Sequence, residues 1–109
     1  MKLANKHIFV TGGAKGIGAS IVQDTASEGA AVSFIDIDVS AGEKIAAQLN
    51  SSGMKVFFVK ANVANFTELK SAFNQAVSKF GDVNGVVNNA GVNSHADPVT
   101  MTDKEWDES

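Results

Sequence analysis

Cysteine, tyrosine and arginine are all absent from this sequence of 109 residues. Without cysteine, disulfide frameworks, thiolate catalysis and cysteine-based zinc sites are excluded. Only two histidines are present, His7 and His95, so we expect no metal site. The nine lysines are spread along the chain and the net charge is -3, which argues against nucleic-acid binding because phosphate contacts need clustered positive charge. The missing tyrosine removes one common general acid or base.

Long hydrophobic runs are missing as well. No window reaches the roughly 18 apolar residues that a membrane span needs, and the start of the chain, Met1 to Phe9, lacks the apolar stretch of a signal peptide. Hydrophobic residues still make up 44% of the chain, which is enough for the packed core of one small domain. We therefore expect a single cytoplasmic domain over residues 1–109 with no membrane partner.

Short β-rich runs alternate with longer segments of helical period, a pattern typical of βαβ units around a parallel sheet. Four runs rich in Val, Ile and Phe are predicted as strands: His7–Thr11, Ala31–Ile35, Lys55–Lys60 and Val83–Val87. Their nearly continuous apolar character predicts strands that are buried on both faces. The third helical segment, from Phe66 to Phe80, has the clearest apolar stripe, with spacings of three and four residues.

The ends of the helical segments carry recognisable signals. A glycine follows each of the three segments, where it can end a helix: Gly29, Gly53 and Gly81. A small polar residue stands three positions ahead of an acid, the spacing of a capping box, in the pairs Ser40–Glu43, Asn65–Glu68 and Thr102–Glu105. The last pair predicts a fourth helix that starts at Thr102, and the sequence ends at Ser109, barely two helical turns later. The first helix has no such capping side chain and opens through a glycine-rich turn.

That turn, Gly12 to Gly18, is the strongest motif in the chain. Residues without a β-carbon let the backbone approach a pyrophosphate, and the helix that follows offers free N–H groups and a partial positive charge. A P-loop would need Lys and then Ser or Thr after the last glycine, but position 19 is Ala19, so nucleotide hydrolysis lacks its key cation. A dinucleotide site instead needs an acid at the end of the second strand, where Asp36 stands.

The spacing of Gly12, Gly16 and Gly18 resembles that of the short-chain dehydrogenase/reductase family. Three further landmarks are similar to family motifs: Asn88 to Gly91 after the fourth strand, Asn62–Val63 after the third, and Thr102 to Trp106 at the start of the fourth helix. The resemblance covers the whole chain. It implies a three-layer αβα Rossmann-type parallel sheet with strand order 3-2-1-4, and an NAD(P)-dependent oxidoreductase that forms a homo-oligomer when intact.

The resemblance also implies a set of cofactor-binding residues. Around the pyrophosphate it places Gly12, Lys15, Gly16, Ile17 and Gly18, and around the adenosine ribose Asp36 and Ile37. It places Asn62 and Val63 beside the adenine, and Asn89, Ala90 and Gly91 along the rest of the cleft. The family usually has Asp where this chain has Asn62, which removes a charge beside the adenine. Asp36 favours NAD because its charge would repel the 2′-phosphate of NADP, whereas the charge of Lys15 could neutralise that phosphate. We give Asp36 more weight and predict NAD rather than NADP.

Hydride transfer in this family uses a Tyr, a Lys, a Ser and an Asn, and none of the four can be placed in this chain. We therefore expect no catalytic residue here and interpret the chain as the N-terminal, cofactor-binding half of a longer enzyme acting on an alcohol or carbonyl substrate. The fourth strand would then be an unpaired apolar edge, which predicts self-association of the isolated chain. The alternative is a self-standing dinucleotide-binding or interaction module without catalysis. The identity of the substrate stays open.

Overall fold

The computed structural model describes residues 3–89 together with the backbone of residues 99–101. Five strands and three helices follow in the order β1 (His7–Thr11), α1 (Gly16–Ser27), β2 (Ala31–Asp36), α2 (Val39–Ser51), β3 (Lys55–Lys60), α3 (Phe66–Phe80), β4 (Gly85–Asn88) and β5 (Val99–Met101). The predicted bounds of β1 and β3 are confirmed. The fourth strand begins later than predicted, because Val83 is buried in the core ahead of the strand and is not part of it.

The strands form one sheet in the order β3-β2-β1-β4-β5. The first four are parallel, with Ile8 aligned to Val32 on one side and to Gly85 on the other. The predicted Rossmann-type order 3-2-1-4 is therefore confirmed. The prediction of an unpaired edge at β4 is wrong, because β5 pairs antiparallel with it and aligns Met101 with Val86.

Helices cover both faces of the sheet and divide the core into two clusters. On the face of α3, Phe9 and Ile35 pack with Leu69 and Phe73. The neighbouring strand residues point to the opposite face, where α1 and α2 pack on Val10 and Phe34. This alternation follows from the pleat of the strands and explains why their sequences are apolar at nearly every position.

The helix starts confirm one of the predicted capping pairs and correct another. Asn65 caps α3, and its side chain accepts a hydrogen bond from the Glu68 N–H at 3.0 Å. The cap of α2 is Asp38 and not Ser40: the Asp38 carboxylate accepts from the Ala41 N–H at 3.0 Å, and Ser40 lies inside the helix. Capping by Asp38 starts the helix at Val39, two residues earlier than the predicted pair implies. The third predicted pair, Thr102 with Glu105, lies outside the described residues.

The single histidine of the described core lies at the amino-terminal end of the sheet. His7 is 2% exposed, with Nδ1 at 2.9 Å from the Gly81 carbonyl and Nε2 at 2.7 Å from the Ser33 hydroxyl. This arrangement joins β1 to β2 and to the end of α3, so His7 has a structural role. Within the described part of the chain, no helix has the length and apolar character that crossing a bilayer requires.

Candidate functional site

The glycine-rich turn lies where the carboxyl ends of β1 and β2 meet. The Gly12 and Gly13 N–H groups both donate to the Ile35 carbonyl, at 2.8 and 3.1 Å. Gly13 also packs against a core ring, because a β-carbon built there would lie 2.7 Å from Phe34. Backbone hydrogen bonds therefore hold the turn to the second strand, and the absence of a side chain at Gly13 lets the turn pack against Phe34 in the core.

Gly18 allows α1 to approach the turn closely. A β-carbon at this position would lie 1.8 Å from the Gly12 carbonyl oxygen and 2.7 Å from Asn89 Nδ2. The helix begins after Lys15, whose side chain makes no capping hydrogen bond, as the sequence predicted. The first N–H groups of a helix have no partner within the helix, and together with the macrodipole they favour an anion. The turn thus brings bare backbone and a positive helix end to the edge of the sheet.

Asp36 connects the glycine-rich turn to the start of α2. Its Oδ2 accepts from the Ala14 N–H at 3.1 Å, and its Oδ1 accepts from the Asp38 N–H at 3.0 Å. A carboxylate has about four acceptor positions, so the two oxygens can each accept a further hydrogen bond. The backbone therefore holds this carboxylate in place at the end of β2, where a pair of ribose hydroxyls could donate to it.

Lys15 and Asp38 form an ion pair at the mouth of the same region, with Nζ 2.9 Å from Oδ2. The hydrogen bond and charge of Asp38, with a smaller effect from Asp36, raise the pKa of Lys15. The Ala41 N–H and then Lys15 lower the pKa of Asp38. Sequence reasoning did not place Asp38 in this region, although an Asp two residues after the strand acid and three ahead of Ala41 is a capping signal that could have found it.

The end of β4 is tied to the turn through Thr11. The Thr11 hydroxyl donates to Asn88 Oδ1 at 3.1 Å and accepts from the Asn89 N–H at 2.9 Å. Asn89 in turn donates from Nδ2 to the Gly12 carbonyl at 3.1 Å. Thr11 and Asn88 were absent from the predicted site; a threonine at a strand end opposite a parallel strand that ends in asparagine is the signal that points to them.

Asn62 and Val63 follow β3 on the far side of Asp36. Asn62 Oδ1 accepts from the Ala64 N–H at 2.9 Å, and the Asn62 N–H donates to the Glu68 carboxylate at 3.0 Å. These bonds fix the turn between β3 and α3. The amide oxygen retains a second lone pair that can accept a hydrogen bond, as the exocyclic amino group of an adenine would require.

A cleft of about 340 Å³ joins these segments at the carboxyl ends of the strands. Six of the predicted residues line it together with Ile35 and Ala61: Gly12, Asp36, Ile37, Asn62, Val63 and Asn89. Four further predicted residues lie on the turn and at the start of α1 and are not among the residues that line this cleft: Lys15, Gly16, Ile17 and Gly18. Ile17 and Ile37 are 67% and 65% exposed. Ala90 and Gly91 lie outside the described residues. A larger depression, about 780 Å³, runs along the outer face of α3 away from the glycine-rich turn.

An open α/β sheet with a glycine-rich first turn and an acid after the second strand defines a Rossmann-type chain. The model of the short chain dehydrogenase family matches residues 6–109, and the chain belongs to that family.

Two curated relatives are 37% identical: a probable galactose dehydrogenase of Rhizobium meliloti (strain 1021), over 98% of this chain, and a 3-oxoacyl-[acyl-carrier-protein] reductase of Staphylococcus epidermidis, over 95%. The chain covers 42% and 43% of their lengths.

Solved structures show the same fold. A short-chain dehydrogenase/reductase from Serratia marcescens superposes with a TM-score of 0.81 at 39% identity, over 99% of this chain and 44% of that one. A metagenomic blue fluorescent protein in complex with NADPH gives 0.79 at 34% identity, over 84% of this chain and 38% of the other. A Burkholderia phymatum family member in complex with NAD gives 0.73 at 25% identity, over 76% and 30%. The similar structures thus include complexes with both cofactors.

Proposed function

We propose that this chain forms the cofactor-binding part of an NAD(P)-dependent oxidoreductase that transfers hydride between a nicotinamide cofactor and an alcohol or carbonyl substrate. The observation that carries the proposal is the cleft itself: the end of β2 presents a fixed carboxylate, Asp36, beside a glycine-rich turn and a helix N-terminus without a capping side chain. Membership of the short-chain dehydrogenase family supports the same function. The binding of the cofactor by the site residues predicted from the sequence is part of this proposal.

The residues present fit a nicotinamide dinucleotide. Gly18 lets α1 pack directly against the turn at Gly12, and Gly16 has nothing within 4 Å of the place where a β-carbon would stand. A pyrophosphate can therefore approach the backbone at Gly16 and accept hydrogen bonds from the first N–H groups of α1. Asp36 would accept hydrogen bonds from the adenosine ribose, and Asn62 with Val63 would contact the adenine. The bound cofactor supplies the hydride chemistry; the protein groups described here bind it, orient it and keep its adenosine end at the β2–β3 side of the sheet.

We propose NAD as the preferred cofactor. Asp36 gains hydrogen bonds from a free 2′-hydroxyl and repels a 2′-phosphate, so it both favours NAD and disfavours NADP. Lys15, the cation that could favour NADP, is paired with Asp38 at 2.9 Å. That pairing strengthens the assignment to NAD.

The chain by itself is proposed to bind cofactor without turning over a substrate. It contains no tyrosine, the proton donor or acceptor that resemblance to the family implies. Reading the coding sequence beyond codon 109 for a Ser followed by Tyr-x-x-x-Lys distinguishes this proposal from a self-standing dinucleotide-binding module. The names of the two relatives give different substrates, galactose and a 3-oxoacyl-[acyl-carrier-protein].

Calorimetric titration of the 109-residue chain with NAD and with NADP tests the proposal. We expect NAD to bind more tightly, and Asp36→Asn to weaken NAD binding by about tenfold or more because it removes charge-assisted hydrogen bonds to the ribose. Asp82→Asn, which removes the same charge at the opposite end of the strands, is the matched control and should leave binding unchanged. Absence of binding of either cofactor to a folded chain would contradict the proposal, and tighter NADP binding would contradict the choice of NAD.

A further inference from the structure

The ion pair between Lys15 and Asp38 joins two segments that are far apart in the chain, the glycine-rich turn and the N-terminus of α2. Lys15 is the residue immediately before α1, and Asp38 is the residue immediately before α2. The lysine side chain is 69% exposed and the aspartate side chain 31% exposed. An exposed pair of this kind contributes little to folding stability, so its main effect is to fix the position of the Lys15 ammonium.

Both members of this pair are next to the hydrogen bonds that hold Asp36. The Asp38 N–H donates to one Asp36 oxygen, and the N–H of Ala14, which precedes Lys15, donates to the other. Three charged groups therefore lie close together at the carboxyl end of β2: two carboxylates and one ammonium, with a net charge of -1. The effect of Asp36 on the pKa of Lys15 is consistent with this proximity.

We propose that Asp38 is a positioning residue for cofactor selectivity, which acts by holding the Lys15 ammonium in an ion pair so that it is withheld from a 2′-phosphate. This inference rests on the proposed function and deepens it. A Lys next to the glycine-rich turn would otherwise be a ready partner for a doubly charged phosphate, since ammonium groups bind phosphates as point charges. Asp38 competes with such a phosphate for the Lys15 charge.

The capping role of Asp38 can be separated from this effect. Its Oδ1 accepts from the Ala41 N–H, while Oδ2 contacts Lys15. Asparagine caps helices about as well as aspartate, so Asp38→Asn keeps an acceptor for Ala41 and removes only the charge that holds Lys15. The variant is therefore expected to fold like the parent chain.

The test is a double-mutant cycle on the ratio of NADP to NAD affinity, measured by calorimetry on the 109-residue chain. We expect Asp38→Asn to raise this ratio by about threefold to fivefold, because an exposed ion pair of this kind withholds the ammonium by at most about that factor. In a Lys15→Met background the same substitution should raise the ratio by less than about twofold. Asp24→Asn, which removes an exposed carboxylate from α1 away from the turn, is the charge-matched control and should leave the ratio unchanged.

The outcomes separate the role of Asp38 from cofactor binding itself. If both cofactors bind and Asp38→Asn leaves the ratio unchanged, the inference is overturned while the proposed function stands. If Asp38→Asn raises the ratio equally with and without Lys15, Asp38 acts by its own repulsion and the positioning role is wrong. If the folded parent chain binds neither cofactor, the proposed function fails and the inference fails with it.

Discussion

Gly18 and Gly16 lie in the same turn but need to be glycine for different reasons. Gly18 has no room for a β-carbon, because the Gly12 carbonyl oxygen would lie 1.8 Å away. Gly16 has open space around it but a φ of +54°, a conformation that other residues adopt at a cost. The first requirement concerns the contact between a helix and a loop, whereas the second concerns only the local backbone.

Alanine substitutions should therefore separate the two glycines. Gly16→Ala is expected to lower the free energy of unfolding by about 1 kcal/mol through backbone strain. Gly18→Ala should lower it by about 2 kcal/mol or more, because a helix and a carbonyl must move apart, and should weaken NAD binding much more. Urea unfolding and NAD titration of both variants give the two measurements. Equal effects of the two substitutions would contradict this assignment of roles.

Asp38 should also give the protein a measurable dependence of stability on acid. The Ala41 N–H and Lys15 hold the pKa of its carboxyl below the ordinary value of 3.8. A carboxyl with a lowered folded-state pKa stabilises the fold above its unfolded-state pKa, and this contribution is lost as the pH falls through the folded-state pKa. Acidification from about pH 5 to about pH 3 should therefore destabilise the parent chain more than the Asp38→Asn variant.

Urea unfolding across that acid range measures the difference. Asp24→Asn controls for the loss of one carboxyl from the surface and should keep the slope of the parent chain. The account of Asp38 is wrong if its variant loses stability on acidification as steeply as the parent does.

At the scale of single elements, the starts of the helices show where a sequence pattern succeeds and where it fails. The Asn65–Glu68 spacing predicted the start of α3, and the cap hydrogen bond is present. The Ser40–Glu43 spacing fits the same pattern, yet the chain caps α2 with Asp38. Two polar residues that follow β2, Asp38 and Ser40, could each cap a helix. The hydrogen bond from the Asp38 N–H to Asp36 fixes the backbone directly after the strand and places Asp38 at the cap.

Two alanine substitutions test this difference between the helix starts. Asn65→Ala should lower the free energy of unfolding by about 1 kcal/mol because it removes the acceptor for the Glu68 N–H. Ser40→Ala, the matched control, should change it by less than about 0.5 kcal/mol, since Ser40 is exposed inside α2 and alanine favours helix. Chemical denaturation of the two variants provides the comparison. A large loss in Ser40→Ala would mean that Ser40 and not Asp38 starts the helix.

The strands show a related limit. β1 and β3 could be predicted to the residue because an apolar run and the sheet pairing coincide there. β5 was not predicted, because three residues carry no periodic signal and the strand exists only through pairing with β4. The same pairing corrects the expected free edge of β4. Self-association of the chain was predicted from that free edge, and because β4 is paired, the prediction is no longer supported by it.

For the molecule as a whole, the order of the sheet could be predicted because strands and helices alternate and because the glycine-rich turn, Asp36 and Asn88 to Gly91 occur in family order. The motif residues that line the cleft were therefore predictable from their positions at strand ends. Thr11 and Asp38 carry local signals, as a strand end and as a helix cap, but their contacts with Asn89 and Lys15 could not be predicted because these partners are distant in sequence. Local patterns carry no information about which side chains meet across a sheet edge.

We propose that the cleft at the carboxyl ends of the strands binds the adenosine and pyrophosphate part of a nicotinamide dinucleotide. Titration of the isotopically labelled 109-residue chain with NAD, followed by amide nuclear magnetic resonance, tests it most directly. The account predicts saturable shifts at Gly12, Gly18, Ile37 and Val63, with little change at the opposite end of the strands, where Lys6 and Lys55 lie. Shifts confined to that opposite end, or none at all in a folded chain, would contradict it.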